Sequence, residues 1–420
     1  MNSSIIESLL LTRRTLRKNR VRTFLSVLGI AIGITSLVAI MSAGVSLRRI
    51  FEEQLDQFGS NFVQVEVKIP NASQHSSSNA TGIAQGISIT TLSLDDKESI
   101  DALPNINESY AAVLGQASMT SVYAEKNLNY FAVSPEFQNI DTAGIAAGRF
   151  YEDDDERSLS KVLVLGSEAA QKLFPNQDPI GQTVKVQRIG FRVIGVMNER
   201  GSTGFVSMDD WVFIPLRTAQ KLLLGYDHLS FILAQMNDPS VGDATAEEMK
   251  DIIRINHAIT DPVKDDFAVT TQEQGLETVG TILSGITLVL SIIASIALVV
   301  GGVGIMNIMY VAVNERIFEI GLRKALGATM RHIRNQFLLE AVVITVIGAI
   351  FGIVLAVVLI ALIFLIAGYF DFSWPFAVSI KSVVLALIFS SILGVSFGYY
   401  PAKRAASLKP VEALAQKRGA

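Results

Sequence analysis

Residues 277–315 read ETVGTILSGITLVLSIIASIALVVGGVGIMNIMYVAVNE, with 37 uncharged positions between Glu277 and Glu315. A helix needs about 20 apolar residues to cross the hydrocarbon layer of a bilayer, so this run is long enough to span. Three more charge-free intervals occur: 25 residues between Arg22 and Arg48, 30 between Glu340 and Asp371, and 21 between Lys381 and Lys403. Four such runs in one chain argue for membrane spans over buried core helices. The spans are expected at 21–46, 276–313, 337–367 and 381–401. The first is longer than the apolar core of a signal peptide. It passes into an amphipathic stretch with Leu47, Ile50, Phe51, Leu55 and Phe58 at helical spacing, read as an uncleaved span continuing outward as a stalk.

Composition agrees. Of 420 residues, 50% are hydrophobic and only 18% charged, and the mean hydropathy is +0.41. The net charge of -4 conceals a segregation. Residues 46–276 hold 18 Lys+Arg and 32 Asp+Glu; the remainder holds 17 basic and 7 acidic residues. Nucleic acid binding needs a basic surface, and the large central segment is acidic. The basic residues flank the spans instead: Arg13, Arg14, Arg17, Lys18, Arg20 and Arg22 before the first, Arg316, Arg323, Lys324, Arg331 and Arg334 between the second and third, and Lys403, Arg404, Lys409, Lys417 and Arg418 after the fourth. By the positive-inside bias, 1–20, 314–336 and 402–420 are cytoplasmic. The segment 47–275 and the short loop 368–380 lie outside.

The external segment alternates like a strand at Asn61–Val67. It then becomes rich in Ser, Asn, Gln and Gly over 70–91, read as a mobile loop. A helix is expected at Ser93–Leu103, capped by Ser93 with Asp95 and Asp96 in its first turn. Strands at 106–117, 229–236 and 266–270 and a helix at 241–256 complete two β-α-β units. A β-rich insertion, 118–226, separates them, with strands at Lys161–Leu165, Thr183–Val186, Phe191–Val196 and Val212–Pro215 and a helix at Glu168–Leu173. The expected architecture is a four-span α-helical membrane protein with an external α/β domain of two lobes: 47–117 with 227–275, and the inserted 118–226.

Much chemistry is missing. There is no cysteine, hence no disulfide, zinc-thiolate site or cysteine nucleophile. No phosphate loop, H-E-x-x-H or G-x-S-x-G occurs. The histidines His75, His228, His257 and His332 are scattered and read as surface or packing residues. The acidic run Glu152–Glu156 lacks the alternation and glycine of a calcium loop and reads as a solvated turn. No catalytic residue, bound cofactor or metal is expected. Ionisable residues are absent from the span cores, against an ion path between these helices. Gly301, Gly302 and Gly304 permit close helix approach, either within the protomer or to a second copy.

Residues 314–340 read NERIFEIGLRKALGATMRHIRNQFLLE. Glu315, Arg316, Glu319, Arg323 and Lys324 alternate with Ile320, Leu322 and Leu326. Glu319 and Arg323 are i,i+4 partners, and Gly327 suits the C′ position. This amphipathic helix fits either the lipid headgroups or a groove in a cytoplasmic partner, to which Glu319, Arg323 and Lys324 would offer ion pairs and Ile320 and Leu326 apolar anchors.

The string ERIFEIGLRKALGAT (315–329) resembles the coupling-helix motif of the MacB/FtsX-like permease family of ABC transporters. The tail Gly398–Leu414, the stretch Ser160–Leu223, and Arg20, Arg22, Thr23 and Leu28-Gly29-Ile30 resemble other signatures of that family. The resemblance implies a bacterial inner-membrane homodimer whose outer part has a split porter lobe and an inserted Sabre lobe. It implies that ATP-driven closure of ATPases is converted into movement of the outer domains, with ATP and Mg held by the ATPase. With about 20 residues before the first span, the chain is expected to have no ATPase activity of its own and to work with a separate ATPase subunit. The expected function is export of a drug, peptide or lipid-like substrate with an extracytoplasmic adaptor. Control of a cell-wall hydrolase and lipoprotein release are the alternatives.

Overall fold

The computed structural model describes residues 20–56, 61–70, 89–200, 207–370 and 372–415. The arginine-rich start and nearly all of the Ser-rich stretch lie outside the described residues. Two units are distinguished: a helical one made of 1–49, 281–370 and 374–420, and an α/β one made of 50–280 and 371–373.

In chain order, α1 is Arg20–Asp56, followed by β1 (Phe62–Val67), α2 (Leu94–Asp101), β2 (Ile106–Thr120), β3 (Glu125–Val133) and β4 (Ile145–Gly148). Then come α3 (Asp153–Arg157), β5 (Val162–Leu165), α4 (Ser167–Leu173), β6 (Thr183–Val186), β7 (Ile189–Met197) and β8 (Val212–Pro215). β9 (Phe231–Met236), α5 (Gly242–Asn256) and β10 (Phe267–Thr271) close the α/β unit. The remaining helices are α6 (Gln272–Glu315), α7 (Ile317–Ala325), α8 (Met330–Tyr369), α9 (Ile380–Ser407) and α10 (Pro410–Ala415).

Among the described residues, four helices are long and apolar enough to cross a membrane: the Val27–Leu55 part of α1, α6, α8 and α9. At 1.5 Å per residue, the 44 residues of α6 extend about 65 Å, well beyond a hydrocarbon layer of about 30 Å. The helical core joins Ile30, Ile34 and Val38 of α1 to Leu298, Ile305 and Met309 of α6, with Ile344 and Ala349 of α8 and Leu393 and Ala402 of α9. Small residues set the approach. A Cβ on Gly301 would come within 2.9 Å of the Ile30 nitrogen, and one on Gly394 within 2.9 Å of the Val342 Cα. Such contacts hold helices together where lipid removes the hydrophobic incentive.

Among the described residues, the α/β unit is built on one ten-stranded sheet of order β10-β1-β9-β2-β3-β8-β5-β7-β4, with β6 joined to β2 and β7. β1 runs antiparallel to both β9 and β10, and β9 antiparallel to β2. Each β-α-β unit is therefore split by a strand of the other, the ferredoxin-like arrangement. The expected division into two lobes at residue 117 is not marked in the strands. β2 runs on to Thr120, pairs with β3 along most of its length, and β3 continues the sheet by parallel pairing to β8. Continuous pairing leaves no free edge at that junction. β3 and β4 escaped the sequence reading, the first because its opening residues Glu125-Lys126-Asn127 are exposed and polar. One sheet face carries an aliphatic core, including Val113, Leu163, Val193 and Ile232. The other carries an aromatic one, with Tyr110, Phe131, Phe137, Phe150, Tyr151 and Phe213.

Candidate functional site

α7 is nine residues long and stops sharply. The Gly327 N–H donates to the Lys324 carbonyl and the Ala328 N–H to the Arg323 carbonyl, with Gly327 at φ +98°. This is the Schellman closure, in which glycine takes the left-handed conformation. At the other end, the Arg316 guanidinium lies 3.2 Å from Glu340 of α8, whose carboxylate is almost wholly buried.

The charged residues singled out as a partner-facing surface are engaged inside the chain. Arg323 donates to Glu319 at 2.6 Å and to Gln336 of α8 at 3.0 Å. Lys324 donates to the carbonyls of Ala406, at 2.8 Å, and Leu408, where α9 ends. Ile320, expected as an outward anchor, is only 3% exposed and belongs to the helical core. The surface is apolar instead. Leu322 is 47% and Leu326 81% exposed, and Phe318 shares their i, i+4, i+8 stripe, with Glu315 exposed just before it. The structure therefore separates the nine residues into braces (Arg316, Ile320, Arg323, Lys324), a partner within the helix (Glu319), a stop (Gly327) and an outward face (Glu315, Leu322, Leu326).

The glycine triplet of α6 is used within the protomer at two positions. Gly301 abuts α1 at Gly29 and Ile30, and a Cβ on Gly302 would collide with the Phe397 ring of α9. Gly304 is half-buried.

In the α/β unit, His257, expected to be a surface or packing residue, instead bridges two carboxylates. It ends α5, its ring Nδ1 lies 2.8 Å from Asp266, just before β10, and its Nε2 lies 3.2 Å from Asp96 of α2. The bonds to Asp266 and Asp96 outweigh burial and raise the imidazole to about 9. Asp96 also accepts from the Ser93 N–H and from Asn256. Burial opposes its ionisation, but the His257 and Asn256 bonds hold it below the ordinary carboxylate range. No short motif announces this bracket. The signals were two acidic pairs, Asp95-Asp96 and Asp265-Asp266, flanking helix ends.

The acidic run is also less solvated than expected. Asp155 accepts from Arg149 at 2.7 Å, while Glu156 is buried and accepts from the Arg217 N–H at 2.7 Å. Burial pushes the Glu156 carboxyl up to about 7.

Residues 23–252 match the model of the MacB-like periplasmic core domain, and 291–410 that of the FtsX-like permease C-terminal region. A macrolide export ATP-binding/permease protein MacB of Bdellovibrio bacteriovorus is 35% identical over 96% of this chain and 60% of its own length. One from Chlorobium luteolum is 36% identical over 94% and 58%. A probable syringafactin export ATP-binding/permease protein, SyfD of Pseudomonas syringae, is 35% identical over 95% and 57%. A crystal structure of the periplasmic region of MacB from Actinobacillus actinomycetemcomitans covers 55% of this chain and 97% of its own at 17% identity, with a TM-score of 0.43.

These relatives are named as combined ATP-binding/permease proteins, and the chain spans 57–60% of their length. The expectation of an ATPase held on a separate subunit, drawn from the short stretch before the first span, is thereby corrected. In the relatives both parts share one name and one polypeptide, and only the permease part is matched here. With four membrane helices and both family regions present, the chain is a multi-pass membrane protein and belongs to the MacB/FtsX-like family of ABC transporter permeases.

Proposed function

We propose that this chain is the permease part of an ATP-driven exporter that works by mechanotransmission. An ABC ATP-binding domain grips α7, and its closure moves the spans and, through them, the α/β unit. One observation carries the reading: α7 is braced within its own chain while Leu322 and Leu326 stay exposed. An apolar stripe at i, i+4, i+8 is the anchor pattern of a helix seated in a groove.

Both termini and α7 are cytoplasmic in this reading, and the α/β unit lies outside, following the Lys/Arg bias. The four-stranded ferredoxin-like part acts as the porter and the remaining strands as its Sabre-like extension. Two copies assemble, and the apolar outer half of α6, with Ile282, Ile286, Leu288 and Ile293 exposed, supplies contact surface. An extracytoplasmic adaptor protein continues the path. The relatives named for macrolide and syringafactin export favour a drug, peptide or lipid-like substrate.

The test uses the assembled transporter in nanodiscs, ATP-binding domain included. Leu322→Glu with Leu326→Glu is expected to abolish substrate-stimulated ATP turnover and grip on that domain, because charges replace both anchors. Arg323→Ala is expected to have a small effect, since a half-exposed pair contributes about 0–1 kcal/mol. Full stimulation in the double glutamate variant would reduce α7 to a headgroup-bound connector.

A further inference from the structure

α7 is joined covalently to α6 and α8, and by chain connectivity alone a push on it reaches those two spans. The fourth span, α9, has no such link. The structure nevertheless ties it to α7 at two points. The Lys324 ammonium donates to the carbonyls of Ala406 and Leu408, at the C-terminal end of α9. Carbonyls in the last turn of a helix lack an intrahelical donor and carry the negative end of the helix dipole. A lysine there both satisfies them and is attracted to them. The second point is steric. α10, which follows α9 after Leu408 and Lys409, lies against α7 so closely that a Cβ on Gly321 would come within 2.7 Å of the Ala413 Cβ. Gly321 and Ala413 are both buried.

We propose that Lys324 and the Gly321–Ala413 contact lock α7 to the end of the fourth span. A displacement received on the Phe318–Leu322–Leu326 stripe then moves α9 together with α6 and α8. Lys324 is a positioning residue in this scheme: its head points inward, at the carbonyls of Ala406 and Leu408, and its stem is half-buried. The proposal rests on the coupling reading of α7 given above, and it adds the tail of the chain to the transmitting element. It also gives a reason for glycine at 321, since any side chain there would push α10 away.

The chain contains no cysteine, so paired spin labels can be placed without a background. Ala325→Cys on α7 and Val411→Cys on α10 are exposed positions. Double electron–electron resonance on the full chain in nanodiscs is expected to give one narrow distance population. Lys324→Met, which keeps the aliphatic stem but removes the donor, and Gly321→Leu are each expected to broaden it. Lys324→Arg, which restores a charged donor, is expected to narrow it again. In the assembled transporter, Lys324→Met, which removes both bonds, is expected to lower substrate stimulation of ATP turnover at least about tenfold, the weight of a single charge-assisted hydrogen bond.

An unchanged narrow distribution in both Lys324→Met and Gly321→Leu overturns the lock. So does loss of the ATP-binding domain from Lys324→Met, which would make this lysine a docking residue. Failure of the coupling reading shows elsewhere, as unaltered grip in the Leu322→Glu, Leu326→Glu variant, so the two failures are distinguishable.

Discussion

Raising the pH should loosen the α/β unit at a defined place. His257 sits between Asp96 on α2 and Asp266 before β10, and its side chain is only 6% exposed. Its two carboxylate bonds raise it from an ordinary 6.5 to about 9. A difference of roughly 2.5 units corresponds to about 3 kcal/mol between the protonation states. The folded form therefore binds the proton more tightly than the unfolded form, and stability falls with rising pH in the window between those values. Below about 6.5 both forms are protonated and the contribution is complete; above about 9 it is gone. On the acid side, the carboxyls of Asp96 and Asp266 are held below their usual range. Their contribution is lost as pH falls through those lowered values. These are the same bonds seen from the other partner, so the two effects are not added.

His257→Gln removes the cation and leaves Asp96 and Asp266 without it, the situation wild type reaches only above pH 9. Hydrogen exchange of the full chain in nanodiscs reads the difference, comparing wild type and variant at the same pH so that intrinsic exchange rates cancel. Peptides covering 94–101 and 242–256 should be more protected in wild type at pH 6.5, and the two proteins should converge by pH 9.5. A protection ratio that stays constant across this range would refute the assignment of a charged His257 bridging both aspartates.

Gly301→Ala should destabilise the helical unit by about 1–3 kcal/mol, the usual cost of overpacking, because the new methyl group meets backbone of α1 at Gly29 and Ile30; a detergent-extracted thermal melt at or above the parent midpoint would contradict this. Topology is checked in intact cells with an impermeant thiol reagent: Val122→Cys, at the exposed turn between β2 and β3, should be labelled and Thr329→Cys should not, and the reverse pattern would invert the proposed orientation.

The spans were readable because their signal is local: tens of consecutive uncharged residues leave few alternatives. The ferredoxin-like part was readable for a similar reason, since β1, α2, β2 and β9, α5, β10 each alternate or repeat within a short window. Continuity of the sheet was not. It depends on β3 pairing in parallel with β8, between residues far apart in sequence, such as Phe131 and Phe213. Nothing in the local pattern of either strand specifies that partner. His257 was missed for the same reason, because Asp96 lies 161 residues away.

The α7 helix shows the same limit from the other side. Arg316, Glu319, Arg323 and Lys324 look partner-facing in the sequence because charges on a short amphipathic helix ordinarily face water. Their actual partners, Glu340 and Gln336 on α8 and the carbonyls ending α9, enter only with the fold. The inversion has a mechanical consequence. If α7 offered its charges to an ATP-binding domain, each exposed pair would contribute about 0–1 kcal/mol and the helix would be free to pivot in its own chain. With Arg316 and Lys324 turned inward, α7 is held at its start by Arg316 and at its end by Lys324, with the half-exposed Arg323 reaching Gln336, and is stopped by Gly327. What remains outside is the stripe with Leu322 and Leu326, whose burial in a groove would contribute about 1.5–3 kcal/mol for each leucine fully covered. In the proposed reading, a helix seated in its partner by this stripe and tied to its own spans passes on to them the displacement it receives.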